Sequence, residues 1–389
     1  MKIAIATETF RPHTGGGIDR MCDHYLRGLS DCGHRVQLIC ARRDSSPSAL
    51  SSRVECYEAD SRNACTYHTV NIGRTYRALR DLTARFEPDV LFTHHPHPAL
   101  TASLPPLSRL PHVHCFHSSM ALEWASEQNI RKSSAEKAGP FKKLVTPYLL
   151  KILERAAFSS ADRIVALSRY SAGLLEREFN VPPQIIHCLP GTVDTAKFAP
   201  DHSSRTGQPF RMLTIRRLEP RMGLANLIRA AGILRAGNCD FRLEIGGTGS
   251  LEDELKDMIR TMDLHAEVRM SGHIPEAELV GRYRSADLFV LPTIAFEGFG
   301  LVTLEALACG TPVLATRVGA SPEILGDLDD GLLCPPTPEG LAERISYWMS
   351  HRPHLQKLAT VSPQYVRTHY GRNQMIRKLE KVFQRALCR

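Results

Sequence analysis

The chain has 389 residues, 43% hydrophobic and 23% charged, with a formal net charge of +8. That is the composition of a folded globular protein rather than a fibrous or disordered one, and the length predicts two or three domains. The positive balance suits an anionic ligand such as a nucleotide diphosphate, or weak peripheral contact with a membrane surface. Without a long Lys/Arg run, a zinc-finger spacing or a basic zipper, no nucleic-acid partner is expected.

In chain order, short apolar β-type runs alternate with longer helical patterns. Strands are expected near Ile3–Ala6, Val36–Cys40, Val90–Thr93, Val113–Phe116, Ile164–Leu167 and Ile185–Leu189, with helices such as Ile18–Leu29 and Tyr148–Ser159. The segment Pro190–Pro209, rich in Pro, Gly and Ser, reads as a linker. A second series follows, with strands near Met212–Ile215, Leu243–Ile245, Val268–Ser271, Leu288–Leu291 and Val313–Ala315. Its helices include Leu224–Leu234, Leu251–Met262 and Leu301–Ala308, and a last helical pattern runs over Asn373–Leu387. Alternation of this kind specifies parallel sheets covered by helices, so the fold class is α/β. Two doubly wound domains facing each other across a cleft are expected, with ligands at the carboxyl ends of the strands.

The 11 cysteines are an odd number with no C-x-x-C pair, so they are read as reduced thiols. The apolar stretch beginning at Ile3 is too short for a signal sequence and is followed by Glu8. No stretch is long and apolar enough to span a membrane. The expected location is the cytoplasm.

The sharpest signal is Phe296-Glu297-Gly298-Phe299-Gly300-Leu301-Val302-Thr303-Leu304-Glu305-Ala306-Leu307-Ala308-Cys309-Gly310-Thr311-Pro312-Val313. Its glycines let a ligand approach the backbone, and the helix that follows offers amide groups and a positive dipole end to an anion. Glu297 and Glu305 stand beside that anion site. A carboxylate accepts hydrogen bonds from sugar hydroxyls while the amides take diphosphate oxygens. A nucleotide-sugar carries both kinds of group.

This Glu-x7-Glu segment resembles the signature of the retaining glycosyltransferases of family 4, which have the GT-B fold. Further matches in order are Thr14-Gly15-Gly16-Gly17, Ala161–Ser168, Pro190-Gly191-Thr192-Val193-Asp194, Gly246-Gly247-Thr248-Gly249 and Ala286–Pro292, so the likeness spans nearly the whole chain. The resemblance implies two Rossmann-like domains. Residues 1–195, joined by the helix of 371–389 crossing back, would bind the acceptor, and residues 205–370 the nucleotide-sugar. It implies transfer of a sugar from a UDP- or GDP-sugar to a hydroxyl of a small-molecule or lipid-linked acceptor, with no metal and no cofactor. By the same resemblance Glu297 contacts the donor sugar, Glu305 the ribose, and the backbone of Gly298, Phe299, Gly300, Leu301, Val302 and Thr303 the diphosphate. Gly16, Gly17, Gly247, Gly249 and Ile274 complete the donor site, and His117 touches the sugar near the reacting carbon.

The family's basic pair falls on Arg216-Arg217-Leu218-Glu219-Pro220-Arg221-Met222-Gly223. Arg217 takes the motif's arginine position, but its glycine is Arg216 and its lysine is Met222. Arg221 or Arg216 is then the candidate for a second phosphate contact. Glu297, His117 and Arg217 are the expected catalytic groups. His94, His95 and His97 follow the neighbouring strand and are candidates to line the acceptor site. Histidines this dense also suggest a zinc site, but no Cys or carboxylate is read at ligand spacing, so no metal is expected. Asp327-Leu328-Asp329 imitates a metal-binding D-x-D but reads as a surface turn. The basic stretch Phe141–Lys151 reads as a surface helix before it reads as a membrane anchor. Two alternatives remain: an epimerase or hydrolase of the nucleotide-sugar, or a non-catalytic binder of it.

Overall fold

The structure is a computed structural model that describes residues 1–11, 16–43, 53–57, 64–130, 140–201 and 209–388. It forms two compact units. The first comprises Met1–Ala121, Pro140–Thr192 and Arg372–Arg389, and the second Leu122–Gly139 and Val193–Gly371.

The first unit holds strands β1 (Lys2–Phe10), β2 (Arg35–Arg43), β3 (Val54–Cys56), β4 (Val90–Thr93), β5 (His112–Phe116), β6 (Arg163–Ala166) and β7 (Ile186–Cys188). They pair in parallel in the order β3-β2-β1-β4-β5-β6-β7. The order reverses between β1 and β4, which is where a doubly wound sheet opens a crevice at its carboxyl edge. Every residue of β4 and β5 is buried, as expected of a sheet covered on both faces. The helix Gly17–Asp31 buries Met21, Cys22, Tyr25, Leu26 and Leu29, one face at helical spacing.

The C-terminal helix Arg372–Leu387 belongs to this first unit and buries Met375, Ile376, Leu379, Val382, Phe383 and Ala386. Phe383 meets Phe92 of β4 edge-on, with ring centroids 5.3 Å apart.

The second unit holds β8 (Phe210–Ile215), β9 (Phe241–Gly246), β10 (Val268–Gly272), β11 (Leu288–Leu291), β12 (Val313–Thr316) and β13 (Leu333–Cys334). Their order, β10-β9-β8-β11-β12-β13, is again parallel and reverses beside the first strand of the unit. Strands β3 and β13 are additions to the sequence reading. They are 3 and 2 residues long, too short to show a periodicity.

Candidate functional site

The loops after β8, β9 and β11 gather the chemistry of the second unit. Thr293 and Glu297 follow β11, and Arg216 follows β8. Arg216 Nη2 donates to Glu297 Oε2 at 2.7 Å, and Thr293 Oγ1 donates to the same oxygen at 2.8 Å. Arg216 Nη1 also bonds the Thr293 hydroxyl, closing a triangle. Both ion-pair partners are 8% exposed in their side chains. Burial by itself pushes the Glu297 carboxyl up. The Arg216 charge and hydrogen bond, the Thr293 hydroxyl and the Arg221 charge together outweigh it and hold the group below the usual carboxylate range. Glu297 is therefore an ionised acceptor in a dry setting.

The backbone around Glu297 is braced from two sides. Phe296, just before it, sits at φ +54°, a conformation rare outside glycine, and its carbonyl accepts from Arg221 Nη1 at 3.0 Å. The Ala320 amide donates to the Glu297 carbonyl at 2.9 Å. Gly319 makes that approach possible. It has φ +60°, and a Cβ there would lie 2.1 Å from the Glu297 carbonyl oxygen.

The helix Leu301–Ala308 starts from Gly300 and carries Glu305 in its buried interior. Tyr283 donates its hydroxyl to Glu305 Oε2 at 2.7 Å, fixing the carboxylate. Among the helix's first amides, that of Thr303 is committed to the Gly300 carbonyl at 2.9 Å. Phe299 is buried against Tyr370 and anchors the loop, so its part in any ligand contact falls to its backbone. Gly298, Gly300, Leu301 and Val302 are only partly buried.

Gly247, after β9, needs its missing side chain: φ is +128° and a Cβ would meet the Arg216 carbonyl oxygen at 1.8 Å. Thr248 and Gly249 are exposed beyond it, and Ile274 packs beneath, buried against Gly246. Arg217 is exposed and makes no hydrogen bond or ion pair among the described residues. Arg221 differs from it. It is 4% exposed, and its guanidinium meets Glu123 at 2.9 Å and Glu127 at 3.9 Å. Burial and then Glu219 push the Glu127 carboxyl up, while Arg221 draws it back. Met222 is buried and contributes packing at the place of the motif's lysine.

In the first unit, Gly16 and Gly17 are exposed at the start of the helix Gly17–Asp31, while Thr14 and Gly15 lie outside the described residues. Asp19 receives the amides of Gly16 at 3.2 Å and Arg11 at 2.9 Å, tying the residue after β1 to the start of that helix. The histidines separate into distinct roles. Thr93 Oγ1 bonds both His112 Nε2 and His114 Nδ1 at 2.9 Å, which makes these two part of the sheet's interior. His97, 2% exposed, pairs with Glu8 at the end of β1. His95 is partly buried and takes the Glu8 amide on Nδ1 at 3.2 Å, so its proton is on Nε2.

His94 Nδ1 and His117 Nε2 stand 2.9 Å apart. Burial, and then neighbouring His95, pushes His117 down to about 3, and burial lowers His94 as well, so both rings are neutral and share one proton. His94 Nε2 is buried with no hydrogen-bond partner. An orphaned N–H is the rarer burial, which places the shared proton on His94 Nδ1 and the other imidazole proton on His117 Nδ1. The expectation that no cysteine partners these histidines is corrected by the structure: Cys115 lies on β5 two residues before His117, on the same face, with His94 alongside.

No sequence motif marks Glu154. It is fully buried and accepts from Ser119 Oγ at 2.8 Å, Met120 N at 2.6 Å and Ala121 N at 3.3 Å, fixing the chain that leaves His117. Asp329 of the D-x-D imitation caps a turn by accepting the Gly331 amide at 2.7 Å. In the helix Pro140–Ser159, Lys151 pairs with Glu178 at 2.9 Å, and the side chains of Phe141, Lys142 and Lys143 lie outside the described ones. No helix among the described residues is long and apolar enough to cross a membrane.

Two family models match in succession, Glycosyltransferase Family 4 over residues 15–197 and Glycosyl transferases group 1 over 197–364. The chain is similar to the D-inositol 3-phosphate glycosyltransferase of Arthrobacter sp. (strain FB24), 33% identical over 58% of this chain and 54% of that protein. It is also similar to the phosphatidyl-myo-inositol mannosyltransferase of Mycolicibacterium smegmatis, 28% identical over 82% of this chain and 77% of that protein. A GDP-mannose-dependent alpha-(1-6)-phosphatidylinositol monomannoside mannosyltransferase of the same species is 34% identical over 43% of this chain and 48% of its own length. The chain thus matches about half the length of two of these three relatives. Among solved structures, the sucrose-phosphate synthase of Thermosynechococcus elongatus has a TM-score of 0.83 at 18% identity, covering 100% of this chain and 99% of its own. Anabaena HepE, solved with UDP and glucose, has a TM-score of 0.77 at 17% identity over 99% of this chain and 100% of its own. These two likenesses establish the fold.

Proposed function

Because the chain belongs to the group 1 glycosyl transferases of family 4, we propose that it is a retaining, metal-independent glycosyltransferase. It moves a sugar from a UDP- or GDP-sugar to a hydroxyl of a small-molecule or lipid-linked acceptor. The observation that carries this reading is the buried Arg216–Glu297–Thr293 triangle beside the glycine-rich start of the helix Leu301–Ala308. An ionised carboxylate there accepts from sugar hydroxyls, and the helix start and the uncommitted Arg217 face a diphosphate. The UDP and glucose of the HepE structure and the GDP-mannose in one relative's name support the two donor bases. The inositol acceptors in the relatives' names support a polyol hydroxyl, free or lipid-linked.

In this mechanism the bond from the anomeric carbon to the diphosphate oxygen breaks, and the acceptor oxygen joins that carbon on the same face. The acceptor proton passes to the departing diphosphate. Arg217 and the helix dipole oppose the charge that develops on the leaving group. Glu297 holds the sugar, Glu305 the ribose, and the His117 Nδ1–H donates to a sugar oxygen.

A thermal-shift screen of the purified chain with EDTA present, against UDP, GDP, dTDP and ADP, tests the donor site. A nucleotide at a hundred times its Kd stabilises by about 2.7 kcal/mol. A shift selective for UDP or GDP is expected, and no shift with any of them overturns the reading. Arg217→Ala is expected to lower turnover far more than Thr248→Ala, and equal rates would remove Arg217 from the phosphate site.

A further inference from the structure

Three soft or borderline donors meet in the first unit. His94 and His117 contribute imidazole nitrogens and Cys115 a thiol, and one ligand atom from each lies within 4.8 Å of the others. The chain geometry makes the cluster. Cys115 and His117 alternate onto one face at the end of β5, and His94 ends the neighbouring β4.

We propose that His94, Cys115 and His117 form a binding site for a borderline-soft divalent cation of the Zn2+ type. Two imidazoles and one thiolate are three of the four ligands of a tetrahedral zinc site, and the fourth position falls to water or substrate. The two imidazole nitrogens already stand 2.9 Å apart. Ligands at zinc–nitrogen distances of about 2.0 Å lie roughly 3.3 Å apart in a tetrahedron, so the pair needs only a slight opening. Harder cations such as Mg2+ prefer oxygen donors, and the described cluster offers none.

A further observation points to a ligand here. Cys115 is fully buried, and among the described residues its Sγ makes one weak hydrogen bond, with the Tyr25 hydroxyl at 3.7 Å. Entry is from the side of His117, which is partly exposed. On binding, the thiol proton leaves to solvent and the proton on His94 moves from Nδ1 to Nε2, so one proton is released per metal. The consequence for catalysis rests on the role proposed for His117. A cation held on Nε2 fixes the ring that must bring its Nδ1–H to the sugar, so Zn2+ acts as an inhibitor of a reaction that needs no metal.

Co2+ titration of the tag-free, full-length chain tests the site independently of activity. One Co2+ per chain is expected, with a thiolate-to-cobalt charge-transfer band in the near ultraviolet. Cys115→Ser is expected to abolish the band and weaken binding at least tenfold, while Cys32→Ser, at an exposed thiol, leaves both unchanged. Equal bands in Cys115→Ser and the parent, or no stoichiometric binding to the folded parent, overturn the proposal. If Cys115→Ser does not fold, X-ray absorption at the zinc edge of the parent decides. One sulfur and two imidazoles are expected, and an all-oxygen or sulfur-only shell overturns it. If the metal binds as expected but Zn2+ leaves transfer unaffected, the site stands and the role of His117 falls.

Discussion

Glu297 and Arg216 define each other's state. Removing one partner of a buried ion pair leaves an uncompensated charge and costs about 3–5 kcal/mol. Arg216→Ala should therefore lower the unfolding free energy measured by urea titration by an amount in that range. It should also change the titration of Glu297. In the native chain the carboxyl sits below its usual range, so its contribution to stability is present above the unfolded-state value of about 4.3. That contribution is lost only as pH falls through the lower folded value. Without Arg216, burial dominates and the carboxyl moves up. The acid limb of the kcat/KM profile of Arg216→Ala should then lie at higher pH than that of the native chain, and an unmoved limb would mean that Glu297 does not control it. Glu297→Gln keeps the shape but removes the charge. It should lower kcat/KM on the order of 10²-fold with the fold intact by circular dichroism. The pairing itself was not readable from sequence, because Arg216 and Glu297 are 81 positions apart. The motif puts Arg217 at the arginine position and leaves Arg216 a candidate for a second phosphate contact; in the structure Arg216 is bound to the Glu297 carboxylate, and Arg217 is exposed without a hydrogen bond or ion pair among the described residues.

At the scale of the elements, the apolar runs gave away β4, β11 and β12, because a strand buried on both faces has almost no polar residue to hide, whereas β5 also buries His112 and His114, both bonded to Thr93. The edge strands β3 and β13 are short and lack that signature. The bracing of loops was equally hidden. Gly319 lies outside every motif, yet it lets the chain before the helix Ser321–Leu325 pass against the Glu297 backbone. Glu154, on the helix Pro140–Ser159, looks like any surface glutamate in sequence and proves to be the buried acceptor behind His117. Gly319→Ala forces a Cβ into the Glu297 carbonyl at an unfavourable positive φ. The Glu297 loop must shift by about an ångström, and a displacement of that size costs on the order of 10² in rate. The expected result is a fall in kcat/KM of that order, with the nucleotide Kd changed much less because Glu305 and its Tyr283 partner stand on other elements. Equal losses in both would show that the whole unit had collapsed.

For the whole molecule, the chain order of the fold is not its spatial order. The sequence ends on a helix, Arg372–Leu387, that completes the first unit rather than the second. Its apolar positions were legible as a helical stripe, and the linker motif announced a second sheet. Which sheet the stripe covers follows from packing: Phe383 fills the space against Phe92 of β4, one strand position from the Thr93 that holds His112 and His114. Phe383 is fully buried, and truncating such a side chain typically costs 3–5 kcal/mol. Phe383→Ala should therefore lower the stability of the first unit by about that amount in urea unfolding. The side chains assigned to the nucleotide, Arg217 and Glu305, belong to the second unit, with Gly16 and Gly17 the backbone candidates from the first. The Kd for the selected nucleotide, measured by calorimetry below the unfolding midpoint, should consequently stay within about twofold, since distant sites with no shared partner perturb each other little. A large loss of nucleotide affinity in Phe383→Ala would mean that the second unit does not hold the donor on its own and that the donor site draws on the first unit as well.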